Sequence, residues 1–165
     1  MSDQTDSPQS SGRADDFDFL FGPWWVAHRK LRHRLAGSTD WIAFDGRCEV
    51  RPLLGGAANL DENWLDDPSG AYRALTIRLF DRHAARWSIR WVDARVMHME
   101  PPVVGGFDGD EGVFLGRDEW AGRPILVRFI WRRLGPGRAH WEQAFSDDEG
   151  QAWEANWTMD FTRAA

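Results

Sequence analysis

The sequence holds one cysteine and one tyrosine in 165 residues, no apolar run long enough for a membrane-spanning helix, and no long amphipathic helix. A lone cysteine, Cys48, excludes an intrachain disulfide and fits a reducing, cytoplasmic setting. It sits in an apolar alternation, where burial raises a thiol pKa, so a small core residue is expected rather than a nucleophile. Without ~18 consecutive apolar residues there is no helical membrane insertion. The first residues are rich in Ser, Asp and Gln and carry no apolar segment, so no secretory signal is read there. Residues 1–15 are expected to be a disordered tail and residues 16–165 a single domain. A net charge of −6 leaves no basic excess for a nucleic-acid partner. Metal motifs are missing too: there is no His-Glu-x-x-His, and no two histidines fall at i, i+2 or i, i+4. His28 and His33, five apart, face opposite sides of a strand, so no metal site is expected. A Gly-rich phosphate loop before a helix is lacking, as is a Gly-x-Ser-x-Gly elbow.

What the sequence has in excess is aromatic bulk: eleven Trp and ten Phe. Such rings favour strands and bring large burial. Strand patterns recur between turn signals at intervals of roughly 8–12 residues, the spacing of an all-β barrel or sandwich. The clearest is 41–51, where Ile42, Phe44, Gly46, Cys48 and Val50 share one face and charged residues dominate the other. Further strands are expected over 24–34, 57–65, 71–80, 87–93, 103–107, 112–119, 125–132, 139–146 and 153–163. The faces of 24–34, 57–65 and 71–80 are not fixed by periodicity, since apolar residues fall on both. Pro101-Pro102 bars segment 94–102 from a central strand and suits a flap at one barrel end.

Two short motifs carry a resemblance. Phe17-Asp18-Phe19-Leu20-Phe21 turns at Gly22-Pro23 into Trp24-Trp25, and the chain closes on Phe161-Thr162-Arg163. A Gly-x-Trp entry and a terminal arginine resemble the calycins, the lipocalin and fatty-acid-binding-like barrels, and in particular an uncharacterised bacterial branch of them. The resemblance implies an all-β fold: a closed, antiparallel, up-and-down barrel of about 8–10 strands, in which Arg163 lies over Trp24 beside Gly22. It also implies that Trp24 points inward, which takes Val26 and His28 with it. Ser146-Asp147-Asp148-Glu149-Gly150-Gln151-Ala152-Trp153 is similar to the Asp-box of sialidase-like propellers, with Ala152 in the Thr position. Occurring once in so short a chain, it reads as a rigid hairpin without sialidase activity.

A barrel of about this size can enclose a small ligand. The expected wall is Trp91, Phe129, Trp131, Trp141 and Trp157, with His28, Glu62 and Gln143 as orienting polar groups. The first functional reading is non-catalytic binding of a small hydrophobic or aromatic molecule by a monomer or homodimer. The alternative is a small enzyme of isomerase, cyclase or hydratase type with His28 and Glu62 as acid–base pair. A haem-binding barrel, with His28, His98 or His140 as axial ligand, is a further alternative; no cofactor is otherwise expected.

Overall fold

The computed structural model describes residues 11–165. They form β1 (Gly22–Leu31), β2 (Trp41–Leu53), β3 (Ala58–Leu65), β4 (Tyr72–Asp81), β5 (Arg86–Asp93), β6 (His98–Met99), β7 (Val103–Asp108), β8 (Glu111–Trp120), β9 (Arg123–Arg133), β10 (Arg138–Ser146) and β11 (Glu154–Arg163). Each strand pairs antiparallel with the next, except that β5 continues to β7, and β11 returns to β1. The result is a closed up-and-down barrel of ten strands with the two-residue β6 laid against the end of β5. Closure leaves no long unpaired edge, which suits a chain this rich in apolar strand residues.

One end is sealed by the segment before β1. The single turn Asp18–Leu20 places Phe17 and Leu20 in the core, and the Trp24 indole donates to the Leu20 carbonyl at 2.7 Å. Arg163 lies 3.9 Å over the Trp24 ring and donates to the carbonyls of Phe19 and Phe21. The glycine of the entry motif has a physical reason. Gly22 has φ +102°, and a Cβ there would come within 2.9 Å of the Arg163 guanidinium. Of the expected tail, residues 1–10 lie outside the described residues. Gly12 and Arg13 are bonded to the barrel: Gly12 N–H donates to Ala85 O at 2.6 Å, and the buried Trp87 indole donates to Arg13 O at 2.9 Å.

The faces left open by periodicity are resolved by pairing. On β1, Trp24, Val26 and His28 are buried, as the entry motif implied. On β3 the buried face is Asn59, Asp61, Asn63 and Leu65, with Leu60, Glu62 and Trp64 on the outer side. On β4 it is Tyr72, Ala74, Thr76 and Arg78. Outside, Trp64 is covered by Arg47 and Arg73, at 4.9 and 4.7 Å from its ring. The Asp-box forms the β10–β11 hairpin. Asp148 Oδ1 accepts from Ser146 Oγ at 2.8 Å and Ala152 N–H at 2.9 Å, and Glu149 and Gly150 take positive φ.

Candidate functional site

Between the sealed end and the open end lies a cavity of about 350 Å³, within the usual range of small-molecule sites. Its two opposite walls differ in kind. In the order of ten strands, β3 and β4 stand across the barrel from β9 and β10. The β9–β11 side is aromatic: Phe129, Trp131, Trp141 and Trp157, joined by Trp91 from β5. Trp157 meets Trp91 and Trp141 edge-on at 5.5 Å each, and Phe129 meets Trp141 at 4.9 Å. These contacts lock the rings as a rigid wall.

The β3–β4 side is polar. Arg78 and Asp61, each 2% exposed, form an ion pair at 2.8 Å. Arg78 Nη1 also donates to Asn59 Oδ1 at 2.8 Å, and Asn63 Nδ2 donates to Asp61 Oδ1 at 2.6 Å. Thr76 stands beside Asn63, with 3.5 Å between Oγ1 and Nδ2. The antiparallel register sets Asn59 opposite Arg78 and Asp61 opposite Thr76, so the network is built from neighbouring residues of one hairpin. A buried charge is tolerable only when paired and hydrogen-bonded, and here it is both. Gln143 on β10 adds a polar group to the facing wall and donates to Asn156 Oδ1 at 2.8 Å.

The open end carries its own charged ring. Arg34 spreads over the rings of Trp120, Phe145 and Trp157 at 5.2–5.8 Å. Glu100 and Pro101, from the flap 94–102, and Asp118 and Glu119, at the end of β8, complete the rim. Burial by neighbouring protein, and next the Asp118 charge, raise the Glu100 carboxyl to about 7, although part of the residue remains open to solvent. A second depression adjoins the rim on the far side of Trp91 and Trp157. Within it, Lys30 Nζ lies 4.3 Å above the Trp157 ring, donates to Tyr72 Oη at 3.1 Å and approaches Asp67 at 3.9 Å. Burial first, and then Arg34, lower Lys30 to about 8.

The expected site residues separate into two groups. Trp91, Phe129, Trp131, Trp141, Gln143 and Trp157 are brought together around the cavity. His28 and Glu62 are not. His28 points inward and is buried, but it is held behind Trp157: the Trp157 indole donates to His28 Nδ1 at 3.2 Å, and the ring stacks on Phe44 at 4.8 Å. Gly46 makes room for it, since a Cβ there would meet His28 Nε2 at 2.8 Å. Burial, and next the charge of Lys30, lower His28 to about 3, so it stays neutral. Glu62 is on the outer face, where it pairs with Arg73. The expectation that the two form an acid–base pair is therefore corrected. The inner side of β3 belongs to a polar network tied to Arg78 and Thr76 on β4, which outweighed the apolar character of Leu60 and Trp64.

Among the haem-ligand candidates, His140 bonds Asp160 at 2.7 Å on the barrel wall and does not line the cavity. His28 has one ring nitrogen occupied by Trp157 and the other packed against Gly46. His98 alone of the three borders the cavity, from an exposed place on β6. The sequence reading missed Asp61, Asn63, Thr76 and Arg78. A signal for them exists: Asn-x-Asp-x-Asn on one strand facing Thr-x-Arg on the next is a row of mutually satisfying partners in antiparallel register. Compared with known proteins, the chain matches no family model and no curated sequence. Among the described residues no helix is long and apolar enough to cross a membrane, and no cluster of His, Cys, Asp or Glu has the makings of a metal site.

Proposed function

We propose that the chain is a calycin-like binding barrel that holds a small apolar or aromatic molecule in its cavity without transforming it. The observation that carries this reading is the aromatic wall of Trp91, Phe129, Trp131, Trp141 and Trp157 along a cavity of about 350 Å³. Rings fixed edge-to-face present flat surfaces whose side-chain entropy has already been lost on folding, so a flat ligand can be gripped at little further ordering cost. The protein acts as a monomer or homodimer, in a reducing compartment where Cys48 stays a thiol.

Catalysis is not favoured by the residues of the inner walls; Glu100, the lining carboxyl with a raised pKa, stands at the rim. The Asp61 carboxylate is committed to Arg78 and Asn63, and the neutral imidazole of His28 is behind an indole. The test is native mass spectrometry of protein purified from its own host, paired with fluorescence titration. A co-purifying small molecule that quenches tryptophan emission on re-addition, and is recovered unchanged, supports a binder. Its recovery as a different compound would refute the non-catalytic reading.

A further inference from the structure

We infer that the ligand of this cavity is an uncharged, flat molecule bearing hydrogen-bonding groups along one edge, which lie against the β3–β4 wall. This rests on the binding role proposed above and adds the chemical class. Three observations carry it.

The first is the arrangement of walls. A ring lying on Phe129, Trp141 and Trp157 presents its opposite edge to Asn63 and Thr76 across the barrel, with Arg78 beside them towards the sealed end, 5.5 Å from the Trp131 ring. A molecule apolar all round would leave that wall facing hydrocarbon, an unfavourable place for polar groups.

The second is charge. The only charges on the polar wall, Arg78 and Asp61, neutralise one another at 2.8 Å. An anionic ligand drawn to Arg78 would meet Asp61, and a cation drawn to Asp61 would meet Arg78. Over the whole lining, four carboxyl groups stand against two guanidinium groups, so a carboxylate ligand has no net attraction.

The third is spare hydrogen-bonding capacity. Arg78 uses Nη1 towards Asn59 and Asp61, and Nη2 donates to no acceptor among the described residues. Asn63 Nδ2 is engaged by Asp61, while Asn63 Oδ1 has no described partner. Gln143 gives Nε2 to Asn156, and its Oε1 is likewise without one. All three residues line the cavity, and these atoms are not fully enclosed by protein. On the β3–β4 wall the Arg78 donor and the Asn63 acceptor fit an edge that both accepts and donates, as a lactam or a phenol does, while Gln143 Oε1 faces them from β10.

The experiment is a fluorescence and calorimetric titration of the full chain with four probes: 2-quinolinone, naphthalene, 2-naphthoate and palmitate. The expected result is binding of 2-quinolinone at least about tenfold tighter than naphthalene or either carboxylate, as one or two hydrogen bonds made out of water would give. Thr76→Val and Asn63→Leu should each lower the ratio of 2-quinolinone to naphthalene affinity several-fold. Thr76→Val is the milder variant, because Thr76 is not in the ion pair. If palmitate or 2-naphthoate binds best, the uncharged-edge inference is overturned and the binding role stands. Naphthalene equal to 2-quinolinone would likewise overturn the edge alone. If no probe binds, both fall.

Discussion

At the scale of single residues, this barrel is governed by where polar groups find partners. His28 is a buried base kept neutral by its surroundings, with its pKa lowered to about 3. The unfolded chain takes up a proton on this residue below about 6.5, and the folded chain refuses it until about 3. Stability is therefore complete above the unfolded value and falls as pH drops through that window, by on the order of 4 kcal/mol at its acid end. His28→Gln keeps an acceptor for the Trp157 indole and removes the titration. Its urea midpoint should change less than that of the wild type between pH 6.5 and 4; parallel curves would show that His28 is not the titrating group. Arg163 has a different burden, since it joins the final strand to the segment that plugs the barrel. Arg163→Ala removes the ring contact and both carbonyl partners, and should cost about 1–3 kcal/mol in denaturant unfolding. Arg163→Lys should recover only part of that, because an ammonium cannot lie flat on Trp24 and reach two carbonyls in one plane. Full recovery by lysine would reduce the contact to simple charge.

At the scale of elements, the segment before β1 behaves as part of the barrel from Gly12 onward. Removing residues 11–15 would leave the buried Trp87 indole without the Arg13 carbonyl and Ala85 O without the Gly12 amide. A chain starting at Asp16 should unfold a few degrees below one starting at Ser11, given about 1–3 kcal/mol for a buried donor left unpaired. Equal midpoints would mean that these two bonds contribute nothing net. The same elements show what was legible in the sequence. Strand positions were readable because turns at Gly37, Gly70, Gly122 and Gly135 cut the chain into period-two segments. The sealing contact was readable because Gly22, Trp24 and Arg163 fall at the two ends of the pattern. The aromatic wall followed from simple alternation on β9–β11. The polar wall did not, since an inward Asn-x-Asp-x-Asn row contradicts the hydrophobic rule unless its partners on β4 are known. That information is in strand register, which a one-strand reading does not contain. Glu62 was misplaced for the same reason, by one residue of parity. His28 was placed correctly on the inner face, yet parity says nothing about depth, and Trp157 came between it and the cavity.

At the scale of the whole molecule, the ring of strands is not closed equally all the way round. β1 joins β11 through seven paired positions, whereas β5 joins β7 through three, Trp87 to Gly105, Ser88 to Val104 and Ile89 to Val103. Beyond Ile89 the edge of β5 towards the open end is met by the two-residue β6 and by Glu100, whose N–H donates to Trp91 O at 2.9 Å, and Glu100 and Pro101 belong to the rim. The flap also leaves Val96 and Met97 exposed, with Met97 at φ +54°. The bonds of the flap run mostly to the end of β5, from the Val96 and Met97 amides to Asp93 O and from Glu100 N–H to Trp91 O, and little burial with a left-handed Met97 marks a segment that opens at low free energy. A ligand entering the cavity would pass by lifting this flap and parting the short β5–β7 seam, while the seven-position seam and the Trp24–Arg163 seal remain shut. Among the described residues, hydrogen exchange should therefore be faster over 94–104 than in β1 and β11. Linking the seam as Ser88→Cys with Val104→Cys joins residues directly paired across it, and buried Cys48 is not positioned to compete. In the oxidised double variant, association and dissociation of a bound probe should slow together, on the order of tenfold, with little change in Kd, because the link alters the path rather than the wall. Reduction should restore both rates. Unchanged rates in the oxidised protein would place the entrance elsewhere on the rim, between the Arg34 loop and the end of β8.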